Sequence, residues 1–480
     1  MIGFNLVPIL PELFMAVSGM VLLIAGVMRK GNSLAFISWA AVACCFIAAF
    51  IMLGFSWHED VVLNGMFKFD NFAGVMKLSI LIGLIASISL SVKYLEDEGI
   101  GRFEYPVLMI FAGIGMMLMV SSSNLLSLYM ALELQSLSLY VLAAFRRNSA
   151  KSAEAGVKYF SLGALSSGMI LFGISLIYGF TGTLDYGVLY ATFGTMQHIP
   201  VGITFGLVFL LGGLAFKISA VPFHMWTPDV YQGAPTSVTA FFAIVPKIAA
   251  MAMIMRLLFE PFAAASGQWD QIIIFLSAAS MIVGSFAALV QENIKRLLAY
   301  SSIGNMGYAL IGLATASKVG AGAVVLYLLI YLVMTAGVFA VVLSMRRGGK
   351  ELETIGDLAG LSRTNPALAY VMAIMMFSMS GIPPMAGFFG KLIIFQAAIE
   401  SEMYVLAVLG VLTSVVGAYY YLRVVKVMFF DAPQDAFDAG IPFARRVVLF
   451  LSAFFVIGFV FKPSLIITIA KNAAASLFVG

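Results

Sequence analysis

The chain has 480 residues, 62% of them apolar and only 10% charged, against the roughly 25% charged residues of an ordinary soluble domain. A soluble fold is excluded, and at about 20 apolar residues per crossing helix the apolar content suffices for about fourteen crossings in a single membrane domain. The net charge of +4 does not point to nucleic acid, because acids and bases sort by loop.

With a window of about 19 residues, apolar helices fall near 9–28, 34–56, 73–93, 105–120, 123–145, 158–180 and 201–222. Seven more fall near 235–258, 271–290, 298–315, 320–345, 366–399, 404–428 and 446–470. The twelfth is too long for one straight crossing at 1.5 Å per residue and carries Gly381-Ile-Pro383-Pro384 in its middle, so it should be broken. Met1 to Pro8 has no Lys or Arg ahead of its apolar run, unlike a secretory signal peptide, and the first helix is expected to be retained. The expected fold class is therefore an all-α polytopic membrane protein.

Orientation follows from Lys and Arg alone. The loops after odd-numbered spans hold eighteen of them, from Arg29 and Lys30 to Arg445 and Arg446; the other side holds six: Lys68, Lys77, Arg256, Lys318, Lys462 and Lys471. This places the basic side in the cytoplasm and, with fourteen spans, both termini on the periplasmic side of a bacterial inner membrane.

Several chemistries find no residues to carry them. Cys44 and Cys45 are neighbours without metal-ligand spacing, and His58, His198 and His224 supply no mid-span pair for a b-type haem. Neither G-x-G-x-x-G nor G-x-x-x-x-G-K-[ST] occurs. No cofactor or metal is expected in this chain.

Lys217, Lys247 and Lys391 lie well inside apolar helices, as does Glu133 in Leu128-Tyr-Met-Ala-Leu-Glu133-Leu-Gln-Ser-Leu-Ser-Leu-Tyr140. Each mid-bilayer charge costs about 2.5 to 3.5 kcal/mol on insertion scales, so four unpaired charges would cost about 10 to 14 kcal/mol, comparable to a domain's stability. They must face the bundle interior. Burial opposes an ammonium and a neighbouring carboxylate favours it, so such a group changes protonation when its partner moves, which is what a proton relay needs. The bland alternative is an interhelical ion pair or a snorkelling lysine.

Helix breaks accompany these lysines. Pro222 follows Lys217 and should free a carbonyl near Ile218; Pro246 precedes Lys247; Pro383 and Pro384 precede Lys391 by about two turns. Transporter sites are commonly built at such breaks. Spans 4 to 8 (105–258) and 9 to 13 (271–430) form two five-helix units, and an odd number makes the second inverted. Three helices precede them (1–104) and one follows (444–480).

Together these residues resemble the antiporter-like membrane subunits of respiratory complex I, within them the subunit N branch. The most specific stretch is Lys217-Ile-Ser-Ala-Val-Pro-Phe-His-Met-Trp-Thr-Pro-Asp-Val-Tyr-Gln-Gly-Ala-Pro235, whose ending looks like subunit N rather than its paralogues L and M. Asn293-Ile-Lys-Arg-Leu-Leu-Ala-Tyr-Ser-Ser302 and Gly381-Ile-Pro-Pro-Met-Ala-Gly-Phe-Phe-Gly-Lys391 support it. The resemblance implies a proton channel in which Glu133 modulates Lys217, Lys247 connects the halves, and Lys391 faces the exit. His224 is a further candidate for passing protons toward the cytoplasm. At Asn305 relatives often carry histidine, and a relay role is not carried over to it. The resemblance also implies NADH, FMN, iron–sulfur clusters and quinone in partner subunits, and contact with an M-type neighbour, small subunits such as K and J, and lipid.

A stand-alone or Mrp-type cation/proton antiporter is the alternative, disfavoured by a lysine-rich centre with one carboxylate. A quinone-binding redox subunit and a purely structural anchor are the others. Outside the centre, Glu12 reads as an outer-surface residue, Glu154 and Lys158 as a pair one turn apart, and 351–357 as a solvated loop.

Overall fold

In the computed structural model, residues 6–29, 31, 33–54, 57 and 59–478 are described; Lys30, His58 and the chain ends lie outside them. Twelve helices are long and apolar enough to cross a membrane. They are α1 Val7–Met28, α2 Leu34–Leu53, α3 Asn71–Asp97, α4 Glu104–Ser121, α5 Leu125–Ala143, α6 Ala150–Thr181, α8 Thr236–Phe259, α9 Ala263–Leu289, α10 Ile294–Ala314, α11 Lys318–Val342, α13 Tyr404–Phe430 and α14 Phe443–Phe461. Two further crossings are each made of two short helices: α7a Val201–Lys217 with α7b Trp226–Gly233, and α12a Pro366–Ser380 with α12b Ala386–Glu400. The chain is a multi-pass membrane protein with fourteen crossings, two of them broken at the expected places.

The last crossing departs from expectation. It stops at Lys462, and α15, Pro463–Ala475, turns aside to pack on α11 and α3. The reason is local: Pro463 offers no N–H to continue the helix, and its ring keeps the preceding residue out of the helical region, with Lys462 at φ −146°, ψ 62°. A hairpin, β1 Asp60–Val62 with β2 Phe67–Phe69, closes one end of the bundle.

Packing repeats along the chain. Within α4–α8, contacts join α4 to α5, α5 to α6, α6 to both halves of α7, and α4 to α8. The counterpart of each recurs in α9–α13: α9 with α10, α10 with α11, α11 with both halves of α12, and α9 with α13. Glycine permits the closest approaches. A Cβ at Gly213 would lie 2.7 Å from the Ser166 carbonyl oxygen, and one at Gly173 would lie 2.6 Å from the Gly206 oxygen.

Several charges assigned to loops or helix ends are buried pairs instead. Glu12 is not at an outer surface: it is 2% exposed and binds Lys77 at 2.6 Å, with that ammonium 4.4 Å from the Phe67 ring centroid. Arg256 holds Asp70 through Nη1 and Nη2 at 3.0 and 2.8 Å, Glu260 at 2.6 Å and the Val120 carbonyl at 2.7 Å. Lys68 is likewise buried, against Glu59 at 2.9 Å and Glu260 at 3.3 Å, so three of the six bases assigned to the less basic side are buried in ion pairs. The 351–357 segment is folded onto the bundle: Glu351 accepts from Tyr94 and Thr236, and Glu353 pairs with Lys295 at 2.6 Å.

Arg256→Met would leave Asp70 buried and unpaired, a loss of about 3–5 kcal/mol. A thermal melt of the purified protein in detergent should show a clear drop in midpoint, whereas Arg446→Met, at an exposed position, should leave it unchanged.

Candidate functional site

Lys217 ends α7a, and the chain then leaves helical geometry through Ser219 at φ +62° to Trp226. The break therefore begins just after the lysine, which stands five residues before Pro222. The Phe216 carbonyl is satisfied within the break: Ser219 N–H and the Trp226 indole Nε1 both donate to it at 3.1 Å. The Thr227 hydroxyl donates to Ser219 Oγ at 2.7 Å, and Val221 N–H donates to Ser280 Oγ at 2.9 Å. Trp226 stacks on Tyr159 of α6 with centroids 4.5 Å apart. At the basic end Asp229 of α7b binds both Lys158 and Arg296 at 2.8 Å. Lys158 also makes the expected pair with Glu154 at 2.7 Å. The broken segment is thus clamped between α6 and α10.

Lys217 Nζ donates to Ser136 Oγ of α5 at 2.9 Å and lies 5.8 Å from the Tyr140 ring centroid. No ion pair joins it to Glu133 among the described residues. Glu133 sits one turn from Ser136 on the face of α5 that exposes Met130 and Leu137, and its Oε1 has no hydrogen-bond partner among the described residues. His224 is half-buried within the break, its Nδ1 likewise unpartnered.

Lys247 follows Val245–Pro246, where α8 is distorted but its hydrogen bonding continues across Val245, and is 1% exposed. Its ammonium donates to Ser302 Oγ of α10 at 2.5 Å and lies 5.3 Å from the Tyr231 ring centroid. Lys391 sits on α12b, just past Gly381, Pro383 and Pro384, where Gly381 takes φ +85° and a Cβ would lie 3.1 Å from the lysine Cδ. Its Nζ donates to Ser414 Oγ at 2.8 Å and to the Ser380 carbonyl at 3.2 Å, 4.7 Å from the Tyr308 ring centroid.

Between Lys247 and Lys391 lies a set of neutral polar side chains. Beside Ser302, Ser301 Oγ and the Tyr421 hydroxyl are 2.5 Å apart. Asn305 Nδ2 donates to the Ser301 backbone carbonyl at 2.8 Å, to Ser301 Oγ at 3.2 Å and to Tyr421 at 3.3 Å, and Tyr327 donates to Asn305 Oδ1 at 2.6 Å. Tyr308 donates to Thr413, next to Ser414, at 3.5 Å. The three lysines therefore stand on three separate crossings, two of them broken, and short hydrogen-bonded groups on α10, α11 and α13 lie between Lys247 and Lys391; Glu133 and His224 are outside these groups. Sequence reading left these hydroxyls aside, although Ser301, Ser302, Asn305 and Tyr308 recur at helical spacing on one face of an apolar helix.

Residues 122–417, which hold all of these groups except Tyr421, match the family model for the transmembrane region of NADH:quinone oxidoreductase and Mrp antiporters. The chain belongs to that family. It is 51% identical to NADH-quinone oxidoreductase subunit N of Paramagnetospirillum magneticum, over 99% of this chain and 98% of that protein. It is 53% identical to subunit N 1 of Rhizobium meliloti, over 98% and 97%. Among solved structures it resembles a chain of respiratory complex I from Thermus thermophilus with bound Aureothin at TM-score 0.83 and 33% identity, covering 96% of this chain and 99% of that one. A chain of the Mrp complex from Dietzia sp. shares the fold, at TM-score 0.85 and 22% identity over 100% and 98%.

The site depends on α6 and α7a remaining in contact at Gly213. Gly213→Ala presses a methyl on backbone at Ser166, and overpacking costs about 1–3 kcal/mol; a lowered melting midpoint should result. Gly168→Ala on the same α6, where a Cβ meets nothing within 4 Å, should leave the midpoint unchanged or raised.

Proposed function

We propose that this chain is the antiporter-like membrane subunit of a proton-translocating NADH-quinone oxidoreductase, and that it moves protons along Lys217, Lys247 and Lys391 while redox chemistry occurs in partner subunits. Its setting in this reading is a bacterial inner membrane, the basic side cytoplasmic and both termini periplasmic, beside an M-type neighbour and small subunits of the K and J types. The α4–α8 and α9–α13 units act as inverted repeats, with one broken crossing in each.

One observation carries the reading. The other buried lysines among the described residues, Lys68, Lys77 and Lys295, are bound to carboxylates, whereas Lys217, Lys247 and Lys391 are held by serine hydroxyls and a carbonyl. A carboxylate partner fixes an ammonium. A hydroxyl accepts from the ammonium and, by rotating away from the backbone carbonyl it now donates to (Leu132, Ala299 or Ser380), can donate to the neutral amine, so it serves both states of a relay. The polar run from Ser302 to Ser414 supports transfer between Lys247 and Lys391.

Glu133 enters as a switch of Lys217 by position. One turn from Ser136 and without a fixed partner, it can approach or leave the ammonium when the helices around it shift. Moving one charge against 100 mV costs about 2.3 kcal/mol. A shift of two pKa units is worth about 2.7 kcal/mol, enough for one proton step. His224, in the break on the basic side of Lys217, is the candidate entry group. Redox cofactors and quinone belong to the partners in this reading.

Proton pumping by sealed vesicles carrying Lys217→Ala, measured beside quinone reductase activity and an immunoblot for assembly, tests the proposal. Collapse of pumping and coupled reductase activity in an assembled complex is expected; normal values of both would make the lysine structural. Ser302→Ala removes one hydrogen bond to a charged group, worth about 1.5–3 kcal/mol. Pumping should therefore slow by roughly tenfold to a hundredfold without loss of the assembled complex.

A further inference from the structure

Arg445 is a buried cation with no carboxylate within ion-pair distance among the described residues; Asp97 acts on it only through space. It lies in the first turn of α14, 3% exposed. Its Nη1 donates to the Leu343 carbonyl at 2.7 Å, while Nε and Nη2 have no acceptor among the described residues. An unpaired guanidinium out of water is costly, so the position calls for an anion. The residue lines a cavity of about 290 Å³ at the basic end of the bundle, together with Lys93, Asp97, Arg346 and Asp438. The acids there are already engaged: Asp97 with Lys93 at 2.7 Å, and Asp438 with the N–H groups of Gly348 and Gly349 at 2.8 and 2.9 Å. Arg346 turns to Glu98 and the Gly349 oxygen, both at 2.5 Å. α14 begins after Pro442 with no side-chain cap, so the free N–H groups of its first turn add a positive end to the same region.

An apolar groove of about 750 Å³ runs away from that cavity along the same three helices. It is lined by Ile82 and Ala86 of α3, Val333 and Ala336 of α11, and Val448 and Leu451 of α14. Val448 is about one helical turn from Arg445, and Ala86 about two turns from Lys93. An anion-seeking cavity at the helix ends, in line with an apolar groove that follows the helices across the bilayer, has the outline of one amphiphile. We infer that this seam binds an anionic phospholipid, its phosphate held by Arg445 and the first turn of α14 and an acyl chain lying in the groove between α3, α11 and α14. The inference is independent of the lysine relay.

The assembled complex, imaged by cryo-electron microscopy in nanodiscs of phosphatidylglycerol and phosphatidylcholine, should show headgroup density within hydrogen-bond reach of Arg445, continuing as a chain into the groove. The same complex in phosphatidylcholine nanodiscs with inorganic phosphate should not. A compact ion with an empty groove would reassign the cavity to a soluble anion and overturn the proposal. A neighbouring subunit's side chain at Arg445, an empty seam with phosphatidylglycerol present, or phosphatidylcholine seated equally well would overturn it too. By native mass spectrometry Arg445→Gln should lose one retained phosphatidylglycerol per complex and Arg445→Lys should keep it. Leu451→Trp, which fills the groove and leaves Arg445 in place, should also lose it; retention by both Arg445→Gln and Leu451→Trp refutes the proposal.

Discussion

Burying positive charge in a bilayer is the constraint around which this molecule is arranged. Nine Lys and Arg side chains among the described residues are buried. Five of them, Lys68, Lys77, Arg256, Lys295 and Arg346, have carboxylate partners. These pairs join elements far apart in the chain: Asp70 and Arg256 are 186 residues apart, and Glu98 and Arg346 are 248 apart. They tie the three N-terminal helices to both five-helix units. Because removing one partner of a buried pair costs more than the pair is worth, such ties act chiefly as constraints on where each helix can sit.

The backbone obeys the same requirement for satisfied polar groups in a medium without water. Where α7 breaks, the freed Phe216 carbonyl takes the Trp226 indole, and Ser219, Thr227 and Ser280 absorb neighbouring groups. Where α12 breaks, Ser378 Oγ accepts from Gly387 N–H at 3.0 Å, and Lys391 itself donates to the Ser380 carbonyl. Neither break is a loose loop: each is a hydrogen-bonded joint with a lysine at or beside it.

Hydropathy and proline positions made the fourteen crossings and the two broken ones legible, because a membrane leaves a chain few alternatives. The lysines at 217, 247 and 391 stood out for the same reason, since an ammonium among leucines is a local anomaly. What sequence could not convey is which side chain meets which. Glu12 looked like a surface acid because its partner Lys77 lies on another helix, and the 351–357 loop looked solvated because Tyr94, Thr236 and Lys295 come to it from three elements. Serine and tyrosine in an apolar helix carry little hydropathy signal, so the hydroxyls around the lysines became visible only through geometry. The turn at Lys462–Pro463 was readable in principle, but the hydropathy continues across it.

Four buried cations remain without carboxylates, and the difference between lysine and arginine divides them. A lysine can shed its proton, so a serine hydroxyl that both accepts and donates is a sufficient partner in either state. Lys217, Lys247 and Lys391 have such partners. An arginine stays charged, and a single carbonyl contact leaves Arg445 with uncompensated donors. For that residue the requirement for charge balance must be met from outside the chain. The same physical demand thus produces a proton path where the cation can be discharged and a ligand site where it cannot.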